Sequence, residues 1–266
     1  MTRIRSTPRA RCAAPLAIAL AGIPALGGPD WEEPRIDAGP TPVTASKTKG
    51  VGSMGAISGT LGGGGEPGVE AASTGDHEDL YLIRIVDPKA FSARVGRRFP
   101  GDPVFNSVLT LFDAEGHGLL ANDDDAGDGS RNARLLPVAT DGSKFELTKP
   151  GLYYLGVSGS GDLPYSTEGA IFTLIESSEI SGPDGPGAGA PVIRWPRPGD
   201  TGPYRIELTG VGYADPTADT NADGWVTIAD LLEFLGLFRA GDADVTGDGK
   251  TTVQDLLGYL GLFRNG

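Results

Sequence analysis

The chain has 266 residues, a formal net charge of −13, 42 glycines, 21 prolines and one cysteine. Such acidity excludes nucleic acid and anionic lipid as the main partners, because the whole surface repels them. A lone cysteine excludes an internal disulfide framework.

Arg3, Arg5, Arg9 and Arg11 precede an almost wholly apolar run from Ala13 to Leu26, followed by Gly27-Gly28-Pro29. A charged segment, a short apolar segment and small residues in that order read as a signal peptide over 1–27, cleaved near Ala25 or Gly27. The run is too short to span a bilayer as a helix, and no later segment is long and apolar enough to do so. The expected mature protein is therefore exported, without membrane insertion, to the cell surface or the medium. Cys12 leaves with the signal. The first 27 residues carry four arginines and no acid, so their removal lowers the charge from −13 to −17.

Residues 28–45, with Pro29, Pro34, Pro40 and Pro42, read as a flexible lead-in. Short strands are then expected at Ala56–Leu61, Leu80–Val86, Ser107–Phe112, Gly118–Ala121, Lys144–Leu147, Gly151–Ser158, Ala170–Ile175 and Tyr204–Leu208. Turn-forming stretches such as Asp113-Ala-Glu-Gly116 and Lys149-Pro-Gly151 separate them. Short strands without a long helical pattern predict a mainly β fold, an antiparallel sandwich of jelly-roll type over 46–213. Read in order, Gly75-Asp-His-Glu-Asp79-Leu-Tyr81, Leu109-Thr-Leu-Phe112, Leu120-Ala-Asn-Asp-Asp-Asp125, Pro150-Gly-Leu-Tyr-Tyr154 and Tyr204-Arg-Ile-Glu-Leu208 resemble the bacterial pre-peptidase C-terminal domain. The resemblance implies a non-catalytic accessory of an exported protein.

Two acidic groups fall in this region. Asp123-Asp124-Asp125 with Asp128 and Asp113 reads first as a solvated loop, since adjacent carboxylates lack the spaced geometry of a metal loop, with a bridging calcium ion as the alternative. Asp76, Glu78 and Asp79 form a similar group at a strand entry. The histidines His77 and His117 occur without metal-binding spacing, and no Gly-x-Ser-x-Gly elbow is present. Gly50-x-Gly52-x-x-Gly55 spells a dinucleotide fingerprint, but no helical pattern follows it. No enzyme is expected. Trp31 and Trp195 suit either a core edge or a sugar-stacking platform, with the core edge favoured by their apolar area.

The last segment, 214–266, contains one motif twice, 25 residues apart. Asp219, Asn221, Asp223, Thr227 and Asp230 stand at positions 1, 3, 5, 9 and 12 of the first loop, with Gly224 at position 6. Asp244, Thr246, Asp248, Thr252 and Asp255 repeat them around Gly249. Trp225 and Lys250, at position 7, would offer backbone carbonyls. A hard dication needs six to eight oxygens, and this schedule supplies them from alternate side chains around a glycine turn. Two calcium ions are the expected cofactors.

Each loop runs into an apolar helix, Leu231–Phe238 and Leu256–Phe263, and aligning 219–241 with 244–266 gives 13 identities. Paired loops of this kind, with Asp at position 12 and no helix leading in, resemble a dockerin domain. The resemblance implies a cohesin-like module on a surface or scaffold protein as partner. It implies Ile228-Ala229 and Val253-Gln254, at loop positions 10 and 11, as the residues that select it. They depart from the Ser-Thr type of well-known cellulosomes. Thr246 departs from Asn or Asp and is expected to leave the second loop the weaker. The alternative reading keeps calcium and drops the cohesin: a calcium-stabilised accessory module for a carbohydrate or protein ligand.

Overall fold

Short apolar or alternating runs bounded by turns drive about a third of the described residues into strands, because a pleated strand turns successive side chains to opposite sheet faces. The computed structural model describes residues 30–34, 37–62, 76–102, 105–127, 129–174, 176–221 and 225–265. The expected signal segment, Gly224, Asp223 and Asp128 lie outside them.

In chain order the strands are β1 (Asp30–Glu32), β2 (Ser46–Lys47), β3 (Ala56–Leu61), β4 (Glu78–Ile85), β5 (Ser92–Gly96), β6 (Ser107–Phe112) and β7 (Gly118–Asn122). They continue with β8 (Arg134–Leu135), β9 (Gly151–Gly159), β10 (Tyr165–Ser166), β11 (Gly169–Ala170), β12 (Gly202–Thr209) and β13 (Val211–Tyr213). Two helices follow, α1 (Ile228–Ala240) and α2 (Val253–Asn265). The fold is thus mainly β with a C-terminal helix pair.

One sheet has the order β1-β3-β12-β5-β8, the other β13-β4-β9-β6-β7 with β2 also on β4, and β10 pairs with β11. Ile57, Val95 and Ile206 of the first sheet share one buried cluster with Tyr81, Ile83, Leu109, Leu155 and Val157 of the second. The second sheet is covered on its other face as well. There Leu80, Phe112 and Ala121 meet Ile171, Phe172 and Val192 from the long 160–200 segment. Burial on both faces explains why β6 is buried at every residue.

Four findings correct the strand expectations. First, the sheets are mixed, since β1 runs parallel to β3 and β2 parallel to β4. Second, within the stretch read as a lead-in, Asp30–Glu32 joins a sheet, and Trp31 sets its ring edge-on to Tyr81 at 5.6 Å. The apolar area of Trp31 outweighs the flexibility of the proline-rich context. Third, Lys144–Leu147 is not a strand. Lys144 sits at φ 63° and only Glu146 bridges, to Val138. Fourth, after β11 the expected strand breaks up: Ile171 and Phe172 turn into the core and Leu174 takes φ 43°, while Ile175 lies outside the described residues.

Trp195 lies at a core edge, its ring 6.4 Å from Phe112 and its Nε1 donating to Pro40 O at 2.8 Å. The Asp123–Asp125 group is not a solvated loop at its third member. Asp125 is buried, 3.1 Å from Arg94 and 3.8 Å from Arg134, which neutralise it. Asp123 accepts from Ser160 Oγ, and burial together with Asp124 pushes its carboxyl up to about 6.

The helices pack on each other through a third cluster of Phe234, Tyr259, Ala243 and Val51, flanked by Leu231, Leu235, Leu256 and Phe263. The Phe234 and Tyr259 rings stack 3.7 Å apart and 3° from parallel. Gly241 ends α1 in the left-handed region, φ 77°, where its N–H closes on the carbonyls of Leu237 and Phe238. Among the described residues no helix is long and apolar enough to cross a membrane.

Candidate metal centres

The second loop turns on Gly249, whose φ of 79° suits a residue without Cβ at position 6. The turn brings Asp244, Asp248 and Asp255 together, one carboxylate oxygen of each lying within 4.8 Å of the others. Thr246 Oγ1 donates to Asp255 Oδ1 at 2.9 Å, so this side chain also faces the loop interior. Asp244 accepts from the N–H groups of Gly247 and Gly249. Lys250 N donates to Asp248 at 3.0 Å. These oxygens are hard donors on a closed turn, and they fit a calcium ion.

Position 12 ties each loop to the helix behind it. Asp230 accepts from Thr220 N, Asn221 N and Thr227 N at 2.8–3.2 Å, and Thr227 caps α1 by accepting from Ala229 N. Asp255 repeats this with Val245 N, Thr246 N and Thr252 N, and Thr252 accepts from Gln254 N. Both carboxylates are buried, which alone would raise their pKa. The converging N–H groups outweigh that and hold each below the usual range. Aspartate rather than glutamate at position 12 thus serves as cap and loop closure together. In the first loop the structure brings Asn221, Thr227 and Asp230 together in this way; Asp219 is half-buried, the Trp225 side chain is exposed, and Asp223 lies outside the described residues.

Ile228, Ala229, Val253 and Gln254, at loop positions 10 and 11, are all exposed at the starts of α1 and α2. The helix pair does not hang free of the sheets. Ser53 donates to Asp242 Oδ1 twice, from N at 2.9 Å and from Oγ at 2.8 Å. Val51 is buried in the helical core, and Arg84 Nη1 would lie 2.3 Å from a Cβ on Gly247. A cavity of about 240 Å³ between sheets and helices is lined by Ser53, Arg84, Asp87, Asp242, Asp244 and Lys250. Ser53→Ala is expected to lower the stability of the helix pair by about 1–2 kcal/mol, as one bond to a carboxylate is lost. Melts followed by helical circular dichroism check this; an unchanged transition would show that the clamp contributes nothing.

A second convergence lies in the sheets. Glu33, Asp37 and Asp79 bring one carboxylate oxygen each within 4.8 Å. At that spacing each pair of charges repels by about 3 kcal/mol at an effective dielectric constant near 20. Burial, with Asp37 nearby, pushes Glu33 up to about 7. Partial withdrawal from water and Asp76 push Asp37 up to about 6, and burial with Glu33 holds Asp79 well above its usual value. The sequence singled out Asp76, Glu78 and Asp79 but not Glu33 or Asp37, which reach the site only because β1 pairs with β3. Glu78 is elsewhere occupied, hydrogen-bonded to Asp162, and burial with that neighbour pushes it up to about 8.

A raised carboxyl stabilises the fold below its unfolded pKa and loses that effect as pH rises through the folded value. In chelator, wild-type stability is therefore expected to fall between pH 5 and pH 8, and Glu78→Gln to flatten that slope. Thermal melts across the range check it; an unchanged slope in Glu78→Gln would remove Glu78 as its source.

The histidines serve the loops: His77 Nδ1 lies 3.2 Å from Gly199 O, and His117 Nδ1 3.2 Å from Asp113 Oδ2. No protein-family model matches the chain, and no curated protein does.

Proposed function

We propose that this is an exported, non-catalytic protein whose dockerin-like C-terminal segment binds two calcium ions and docks to a cohesin-like module on a surface or scaffold protein. In this reading it displays a jelly-roll-type sandwich of the pre-peptidase C-terminal kind outside the cell. The observation that supports it is a matched pair of exposed apolar positions after the two loops. Ile228 and Val253 are each 66% exposed, and Leu232 and Leu257, one turn on, each 64%. Large apolar side chains held in water at equivalent places of a repeat suit a partner that covers them.

The test is retention of a cohesin-bearing protein from envelope and secreted fractions on the immobilised full-length chain. Retention in calcium, release by chelator and at least a 10-fold loss in Ile228→Asp/Val253→Asp are expected. Empty eluates from a wild-type chain whose helices are formed would overturn the reading.

The alternative is favoured by the clamp of Ser53 on Asp242 and the insertion of Val51. Helices already seated on their own sheets make calcium a staple for the whole chain. The sheets would then be an accessory for a carbohydrate or protein ligand. Binding to a polysaccharide panel that survives Ile228→Asp/Val253→Asp would support this.

A further inference from the structure

We propose that Glu33, Asp37 and Asp79 form a third calcium site, set in the sheets and separate from the C-terminal loops. Three observations carry it. The first is convergence: each residue places a carboxylate oxygen within 4.8 Å of the other two, as Asp244, Asp248 and Asp255 do in the second loop. Oxygens sharing one calcium ion at bonds of about 2.3–2.6 Å lie at most about 5 Å apart, so this convergence admits one.

The second observation is an unanswered oxygen. Asp79 is fully buried, and its Oδ1 has no hydrogen-bond donor among the described residues. Its Oδ2 is occupied by the hydroxyl of Tyr204 at 2.5 Å, and that hydroxyl meets Tyr81 in turn. Asp76 adds a second buried oxygen without a donor, its Oδ1, while its Oδ2 accepts from Gly62 N. Elsewhere the same fold neutralises a buried aspartate with arginine, as Arg94 and Arg134 do for Asp125. Among the described residues no arginine or lysine makes an ion pair with Glu33, Asp37 or Asp79. A buried carboxylate without a counter-charge is costly, and a dication removes that cost.

The third observation is orientation and access. Glu33 is held from behind, accepting from Ala38 N at 3.0 Å and Thr60 N at 3.3 Å, while Asp37 stands at the exposed rim and opens the site to solvent. The ion would join the chain just after β1 to the start of β4, two places 46 residues apart, and so secure the N-terminal strand.

The test is calorimetric titration of calcium into the full chain carrying Asp219→Ala and Asp244→Ala, which disable the C-terminal loops. One remaining site is expected. Adding Asp37→Asn, a surface change that leaves the fold intact by circular dichroism, is expected to weaken that site at least 10-fold. Asp79→Asn, which keeps an acceptor for Tyr204, is expected to abolish it. Absence of calcium binding in the loop-disabled chain, or a remaining affinity indifferent to Asp37→Asn, would overturn the proposal. Because the loops are silent here, the outcome is independent of whether they bind calcium or a cohesin.

Discussion

Replacing Tyr259 by alanine is expected to unfold the C-terminal helix pair while the sheets stay folded. Tyr259 is fully buried, stacks on Phe234 at 3.7 Å, donates to Ala218 O at 3.0 Å and accepts from Thr220 Oγ1 at 3.1 Å. Removing a buried aromatic side chain costs about 3–5 kcal/mol. A unit of roughly 50 residues has about that much stability in total, because so short a chain buries little apolar surface. The third cluster shares no residue with the clusters of the sheets, so its loss leaves them intact. Helical circular dichroism should collapse in Tyr259→Ala with the β signal retained. Tyr259→Phe keeps the stack and forfeits only two hydrogen bonds, so a drop of about 1–2 kcal/mol is expected there. A helical signal that survives Tyr259→Ala would show that the helices are held mainly by Val51 and the Ser53 clamp.

Asp255→Ala is expected to abolish high-affinity calcium binding in the second loop and to loosen α2 at the same time. The side chain faces Asp244 and Asp248, and its oxygens also collect Val245 N, Thr246 N and Thr252 N. Loss of one charged ligand worth about 3 kcal/mol weakens binding by roughly 100-fold. Three orphaned N–H groups and a lost cap lower the helix stability by a further 1–2 kcal/mol or so. Asp230→Ala should act on the first loop in the same way through Thr220, Asn221 and Thr227. Calorimetry of each variant separates the two losses: one site fewer, with the other unchanged. A full complement of sites in Asp255→Ala would remove it from the ligand set.

The two variants probe parts of the chain that differ in how far sequence reveals them. The short apolar runs of β3, β6 and β9 and the helix starts at Ile228 and Val253 are carried by neighbours a few residues apart, so they are legible in order. β5 was not read from the sequence, because the charged Arg94 between Ala93 and Val95 hides its short alternation. Lys144–Leu147 has the composition of a strand, but the left-handed turn at Lys144 depends on what surrounds it.

What the sequence alone determined is the local chemistry: a mainly β chain, a helix pair, and the spacing of oxygen-bearing side chains in the two loops, each compressed into 12 residues. Residues so close have almost no freedom to meet otherwise once a glycine makes the turn. Only the tertiary structure decided that β1 and β2 run parallel to their neighbours, that Asp125 is buried between two arginines, and that Ser53 clasps Asp242. It alone joined Glu33 and Asp37 to Asp79. Contacts across such separations are set by how whole sheets pack, and no local pattern of residues encodes them.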